Sequence, residues 1–361
     1  MKIILVLLLA SVCGLAESGD ALTRLIDKAV ADAEIPSAVV LVDRGGKLVY
    51  RHVAGYADVE KQRALRGDEM FMIASTSKPF AATAIMTLVD AGKLSLDDKV
   101  TKFFPEFRGD STIRQLLSHT SGIFGNNGSK EELNAIRDFS RPLRDAVPLI
   151  LKHPLAYAPG EKYVYGGASF CVAGRIVEMI TGMEFDAYME KVLLRPLAMR
   201  NTVYRSGQIS HRVPLVYSRA SGTLQRMKAV MEPPDRPGPR ADGFLLVPGG
   251  IYATADDALM LLRLHRANGL WNGKRVLSQE AVRQMHTKQT GKLATNYGLG
   301  WQLQDLDEAG LAQRFSHGGA YGTEIWVDTR KDLAVVVFTQ MPGGEARGFH
   351  KQVQAAILAA Y

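Results

Sequence analysis

The chain has 361 residues, 47% of them apolar, enough to bury the core of one large domain or two modest ones. Its formal net charge is +7, but Lys and Arg are interleaved with Asp and Glu and no basic stripe with spaced aromatics occurs, which argues against nucleic acid as a partner. There is no low-complexity tract or internal repeat, and two cysteines, Cys13 and Cys171, are too few for a disulfide framework.

The first residues read as an export address. Lys2 precedes the apolar run IILVLLLASVCGL, and Gly14-Leu15-Ala16 form a small-residue cleavage site. The run stops at Glu17, short of the roughly 20 apolar residues a membrane span needs. Residues 1–16 are therefore expected to be a cleaved signal peptide and 17–361 the mature domain, secreted or periplasmic. Lipid anchoring through Cys13 is disfavoured, because Val12 is a poor residue before a lipid-modified cysteine. Cys171 is then unpaired, and its apolar helical surroundings, ASFCVAGRIVEMI, predict a buried small hydrophobe rather than a reactive thiol.

ALTRLIDKAVADAEI carries Leu22, Leu25, Ile26 and Val30 at helical spacing and stops before Pro36. AVVLVDRGGKLVYRHVAGYAD follows, two β-branched runs around Gly45-Gly46, which predicts a hairpin. The stretch from about residue 80 to 200 is mostly helical; TIRQLLSH, LRDAVPLILKH, ASFCVAGRIVEMITG and FDAYMEKVLL are its clearest helices. MEPPDRPGPR, Met231 to Arg240, reads as a proline-rich loop within the domain. Near the end GTEIWVDTRKDLAVVVFTQ repeats strand, polar turn, strand, and HKQVQAAILAAY closes the chain as a helix. The expected fold is α/β: an antiparallel β-sheet built from both chain ends and flanked by terminal helices, with a helical subdomain inserted at approximately 80–240 and a cleft between the two halves.

Chemistry concentrates in FMIASTSKPF. Pro79 favours a first helical turn, PFAATAIMTLVDAG continues the helix, and Gly92 suits its stop. Ser75 then lies at a helix N-terminus, where free N–H groups and the dipole favour negative charge, and Lys78 lies on the same face three residues on. Two readings fit: a helix cap with a surface lysine, or a nucleophile with Lys78 as proton acceptor. The preceding apolar FMIA places the serine deep, which favours the second. In PGEKYVYGGASFCVAG, Tyr165 is either a core tyrosine or a phenol able to shuttle a proton. In RFSHGGAYGTEIWVD, a strand ending at His317 would run beside the nucleophile. Gly318-Gly319 would admit close approach of a ligand, and the N–H of Ala320 could pair with that of Ser75 as an oxyanion hole.

These three elements in this order, with TIRQLLSHTSGI, AGKLSLDDKVTKFFPEF, PGGIYATADDALML and NYGLGW, make the sequence resemble the serine β-lactamase and penicillin-binding-protein superfamily. It is most similar to the class C β-lactamase-like branch with its esterases, over roughly residues 20–360. The resemblance implies a β-lactamase/transpeptidase-like fold, Ser75 as acylated nucleophile, Lys78 as base and Tyr165 as partner in proton transfer, without metal or organic cofactor.

Two departures bear on substrate. The family's Tyr-Ser-Asn or Tyr-Ala-Asn is here Tyr165-Gly166-Gly167, so the amide that would bind a peptide-like side chain is missing. Its Lys-Thr-Gly is here His317-Gly318-Gly319, and a neutral histidine attracts a substrate carboxylate less than a lysine does. Losing such charge-assisted contacts removes about 1.5–3 kcal/mol each. The expected substrate is a small-molecule carboxylic ester or related acyl compound. The alternatives are a β-lactamase or D-alanyl-D-alanine carboxypeptidase on the same scaffold, and a non-catalytic binder of cell-wall peptide. His119 is expected to cap or pack a helix end, Trp301 to line core or cleft, and Asp256-Asp257 to cap a helix. No G-x-S-x-G nucleophile elbow, H-E-x-x-H or clustered Cys/His motif for zinc occurs.

Overall fold

The computed structural model describes residues 19–137, 141–204, 209–230 and 245–361; the expected signal peptide and the proline-rich loop Met231–Arg240 lie outside the described residues. Seven antiparallel strands form the main sheet: β1 (Ser37–Arg44), β2 (Lys47–Asp58), β3 (Arg63–Ala64), β4 (Gln302–Leu306), β5 (Ala312–Gly318), β6 (Thr323–Asp328) and β7 (Leu333–Phe338). Their spatial order is β4-β5-β6-β7-β1-β2-β3, so the first strand pairs with the last, Leu41 opposite Val336. The β1–β2 hairpin turns at Gly45-Gly46, both at positive φ, the geometry that matches strand twist.

The alternation of the central strands explains why both faces are covered. Val40, Val42, Leu333, Val335 and Val337 pack against the terminal helices α1 (residues 19–31) and α8 (Gly343–Ala360), through Leu22, Ile26, Phe349, Val353 and Ile357. Val39, Leu41, Ala334, Val336 and Phe338 point the other way, into the larger core shared with α2 (Ser77–Asp90) and α6 (Ala255–Arg266). Each fully buried valine contributes about 1.5–3 kcal/mol by leaving water. Asp43, fully buried on β1, binds the Arg263 guanidinium (Nε 2.8 Å, Nη2 2.5 Å) and so pins α6 to the sheet.

The helical part follows the sequence reading: α3 (Ile113–Leu117), α4 (Leu143–Lys152) and α5 (Ala168–Thr181), the last stopped by Gly182 in the left-handed region. FDAYMEKVLL splits into an α-helix at Phe185–Met189 and a π-type turn at Glu190–Leu194. Helix α2 begins at Ser77, two residues before Pro79, and is buried nearly all round, as a helix that is apolar on every face must be. The expected cap at Asp256-Asp257 is corrected: Thr254 is the N-cap, accepting from the Asp257 N–H. Asp257 instead accepts from the Asn201 N–H and the Thr202 hydroxyl, and Asp256 binds Arg51. Helix α7 (Gln279–His286) packs beside α2.

Candidate active site

The turn that carries Ser75 is strained and clamped. Phe71-Met72 pairs with Tyr252-Ala253, and a 3-10 turn at Ala74–Thr76 then leads into α2. Ala74 holds φ 46, a left-handed conformation that costs a non-glycine residue about 1–3 kcal/mol and persists only when its surroundings enforce it. Here the Ile73 N–H donates to the Ile251 carbonyl (3.0 Å), the Thr323 hydroxyl donates to the Ile73 carbonyl (2.9 Å), and Thr76 and Thr323 hydroxyls meet at 3.0 Å. The Ile251 N–H donates to Ser77 Oγ at 3.2 Å. Ser75, between these tethers, is half-buried.

Lys78 is 2% exposed, and its Nζ lies 3.0 Å from Ser75 Oγ and 3.3 Å from the Pro248 carbonyl. It sits 4.5 Å above the centre of the Tyr165 ring and 6.0 Å from that of Phe170. Among the described residues no carboxylate forms an ion pair with it, and its polar partners are the Ser75 hydroxyl and one carbonyl. Tyr165 is half-buried beside the Lys78 nitrogen, but its hydroxyl makes no hydrogen bond to Ser75 or Lys78; contact is through the ring face. Gly166 is close-packed: an added Cβ would lie 2.7 Å from the Gly125 Cα, so no side chain fits there. Gly167 is buried at the N-cap of α5 and offers no side chain to a ligand.

His317 overturns an expectation. It is fully buried, its Nδ1–H donates to the Gly318 carbonyl (2.9 Å), and its Nε2 accepts from the Tyr297 hydroxyl (3.0 Å). Because a carbonyl oxygen only accepts, this pattern assigns the proton to Nδ1. Burial, and then the nearby Lys78, push its pKa down to about 3, so the ring is neutral. The imidazole therefore has no exposed surface to offer a ligand; it braces the end of β5. The Gly319 expectation changes likewise. Its missing Cβ would meet the Ile73 carbonyl and Thr323 Oγ1, both at 2.3 Å, so the glycine admits the turn that carries Ser75 rather than a ligand. Gly318 and Ala320 are exposed. Among the described residues, neither the Ser75 N–H nor the Ala320 N–H has a protein acceptor, and the Gly319 contact brings the two segments together.

The remaining expected residues fall outside the reacting atoms. Cys171 is fully buried, and burial pushes its thiol up to about 12. Trp301 is fully buried core. Among the described residues, no cluster of three or more His, Cys, Asp or Glu side chains could hold a metal ion. Two participants escaped the sequence reading, the Tyr297 hydroxyl and the Pro248 carbonyl. Both lie in segments singled out only for their likeness, NYGLGW and PGGIYATADDALML; a tyrosine beside glycines in such a segment was the available signal. The assembled groups are those of acyl transfer: a half-exposed hydroxyl, a buried amine touching it, and two unpaired backbone N–H groups nearby.

The profile of the family described as Beta-lactamase matches residues 22–359. Esterase EstB of Burkholderia gladioli is 31% identical over 359 residues, covering 88% of this chain and 89% of that protein. EstCE1, a hydrolase with promiscuous acyltransferase activity, superposes with a TM-score of 0.82 at 22% identity, over 97% of this chain and 99% of that one. The octameric penicillin-binding protein homologue from Pyrococcus abyssi superposes with a TM-score of 0.74 at 22% identity, over 93% and 77% of the two chains. The two structural likenesses bear on the fold, and the sequence matches extend to ancestry. The chain thus belongs to the Beta-lactamase family and is a serine hydrolase with the β-lactamase/transpeptidase-like fold.

Proposed function

We propose that this protein hydrolyses uncharged carboxylic esters through an acyl-enzyme on Ser75. The observation that carries the reading is the Ser75 Oγ to Lys78 Nζ contact of 3.0 Å, with the lysine buried and without a carboxylate partner among the described residues. Lys78 in its amine form takes the Ser75 proton as the oxygen bonds to the ester carbonyl. The backbone N–H groups of Ser75 and Ala320 stabilise the oxyanion; a donor of this kind contributes about 3 kcal/mol. As the carbonyl re-forms and the C–O bond to the alcohol breaks, Tyr165 relays the proton from Lys78 to the leaving oxygen. Water then attacks the acyl-serine by the reverse route, releasing the carboxylic acid.

Esters are favoured over β-lactams and D-Ala-D-Ala peptides because neither triplet offers a group for a carboxylate or an amide. His317 is buried and neutral, and Gly167 has no side chain. The name of esterase EstB supports the same direction. Intact-mass spectrometry after mixing with a short acyl ester, a penicillin and a D-Ala-D-Ala peptide tests the reading. The ester should leave a transient acyl adduct on Ser75 and turn over fastest; a long-lived penicilloyl or peptidyl adduct with negligible ester turnover would reverse it. Failure of a fluorophosphonate to label Ser75 in folded protein would favour the non-catalytic binder. Export to the periplasm or exterior is part of the proposal and rests on the composition of residues 1–16. N-terminal sequencing of protein recovered from the producing cell should begin near residue 17; an intact Met1 on soluble intracellular protein would reject it.

A further inference from the structure

His119 carries no step in the reaction above, and it sits at a helix end as the sequence suggested: it takes the left-handed position just past the Ser118 C-cap of α3, where the Thr120 N–H reaches back to the Gln115 carbonyl at 3.0 Å. The C-cap of α3 is closed by the Ser118 N–H on the Arg114 carbonyl, and the His119 ring makes no hydrogen bond to that helix. The residue also grips the segment that bears Tyr165. Its carbonyl accepts the Val164 N–H at 2.8 Å, and its Nδ1 accepts the Gly166 N–H at a long 3.5 Å. These are the residues on either side of Tyr165. The ring itself lies 4.6 Å from the Tyr165 ring, centre to centre, on a side chain only 1% exposed. A third tether joins the Asn126 N–H to the Tyr165 carbonyl at 3.0 Å.

His119 also sits at φ 60, an uncommon conformation for a residue of its size. The turn that ends α3 calls for this left-handed conformation, and it leaves the His119 carbonyl and ring free to bond residues 164 and 166. The groups facing the ring from neighbouring elements are Tyr163, Tyr165, Phe170 and Tyr297, with Lys78 and His317 the nearby titratable groups. Its Nε2 has no polar partner among the described residues. The ring therefore has no hydrogen-bonded neighbour except the Gly166 N–H, and its orientation is set by that bond and by ring packing.

We infer that His119 is a positioning residue for Tyr165: it holds the backbone on both sides of the tyrosine and backs its ring, keeping the phenol against Lys78. This rests on the reading of Tyr165 as proton relay. The role is distinct from catalysis, because His119 touches neither Ser75 nor Lys78 in the hydrogen-bond network.

The test is a double-mutant cycle on full-length enzyme with a p-nitrophenyl ester. His119→Gly tolerates the positive φ while removing ring and acceptor, and His119→Asn tolerates it while keeping an acceptor near the Nδ1 position. His119→Gly should lower kcat by about 10- to 100-fold, part of what a positioned acid–base group supplies, with KM changed less than about 3-fold. His119→Asn should recover most of that loss. In a Tyr165→Phe background, His119→Gly should cost no further kcat, because nothing remains to be held. Equal losses in both backgrounds, or a raised KM with kcat intact, would overturn the inference while leaving the role of Tyr165 standing. Full activity in Tyr165→Phe alone would instead remove the relay, and the inference with it. Circular dichroism checks each fold; if His119→Gly does not fold, His119→Ser, too short to reach the Gly166 N–H, takes its place in the cycle under the same two outcomes.

Discussion

Among the described residues two pairs of histidines are buried, one beside the candidate site and one on the far side of α2. His119 and His317 flank Tyr165; His265 and His286 lie between α2, α6 and α7. Desolvation is the leading cause that holds all four well below the usual imidazole range, so burial alone does not distinguish them. Their hydrogen bonds do. His265 Nε2–H donates to Thr83 Oγ1 at 2.8 Å, Thr83 donates to the Pro79 carbonyl at 2.6 Å, and His286 Nε2–H donates to His265 Nδ1 at 3.1 Å. That chain ties α7 and α6 to the interior of α2, with His286 stacked on Phe315 at 3.6 Å. The pair beside the candidate site spends its nitrogens on Gly166, Gly318 and Tyr297, all in segments that shape the site. A strongly shifted histidine is thus a marker of burial, and its partners decide whether it serves the fold or the reaction.

Four measurements sharpen this contrast, in descending order of effect. Ser75→Ala or Lys78→Ala should lower kcat for ester hydrolysis by about 10³- to 10⁶-fold, with circular dichroism and melting temperature close to wild type for the serine variant. Stopped-flow acylation and fluorophosphonate labelling read the effect; retained turnover in either variant would place the chemistry elsewhere. His317→Lys restores only the lysine of the family's Lys-Thr-Gly triplet and puts a cation into a fully buried socket facing Tyr297. It should destabilise the protein by several kcal/mol, the order of an unpaired buried charge, without gaining β-lactam turnover. Nitrocefin hydrolysis that rises more than about 10-fold at unchanged stability would show that residue 317 does reach substrate.

Tyr297→Phe removes the donor to His317 Nε2 and leaves a buried acceptor unpaired, a loss of about 1–3 kcal/mol in urea unfolding. Because His317 braces Gly318, acylation should also slow, whereas Thr83→Val beneath α2 should cost stability and leave acylation unchanged. Comparable slowing in both variants would erase the distinction between the pairs. The smallest effect is on pH dependence. His265 is pushed down to about 3 in the fold, while the unfolded chain binds that proton near pH 6.5. Stability from this group is therefore fully present above about pH 6.5 and is lost as pH falls toward 3. Urea unfolding at pH 7, 6 and 5 should show the decline, and His265→Gln should flatten it by up to ~1.4 kcal/mol per pH unit without changing ester kinetics at pH 7. An unaltered slope would mean that His265 is protonated in the native state.

Much of this was legible before any coordinates. The β-branched runs in AVVLVDR and LAVVVF assigned strands from both chain ends, and in the fold those strands pair with each other and feed two separate cores. The spacing of Ser75 and Lys78 predicted one helical turn between hydroxyl and amine, and local geometry alone suffices for that prediction. His317 and Gly319 were misread because the neighbours that occupy their space come from distant segments: Tyr297 in one case, the Ile73 carbonyl in the other. Asp256-Asp257 competed with Thr254 for the cap, and Asp257 was drawn instead to Asn201 and Thr202, remote in sequence. His119 is the helix-end residue that its sequence neighbours predict, just past the C-cap of α3, while the partners of its ring, residues 163–166, are brought there only by the fold.

Sequence by itself determined what depends on near neighbours: β-branched strand runs, helix starts and stops, and a serine and lysine one turn apart. Tertiary structure alone decided which side chains face the candidate site and which brace it, because a buried polar group takes its role from whichever distant donor or acceptor satisfies it. His317 is the instance that separates the two. Its place at the end of β5 follows from local pattern, but its conversion from ligand to strut required a tyrosine hydroxyl from another segment, 3.0 Å away.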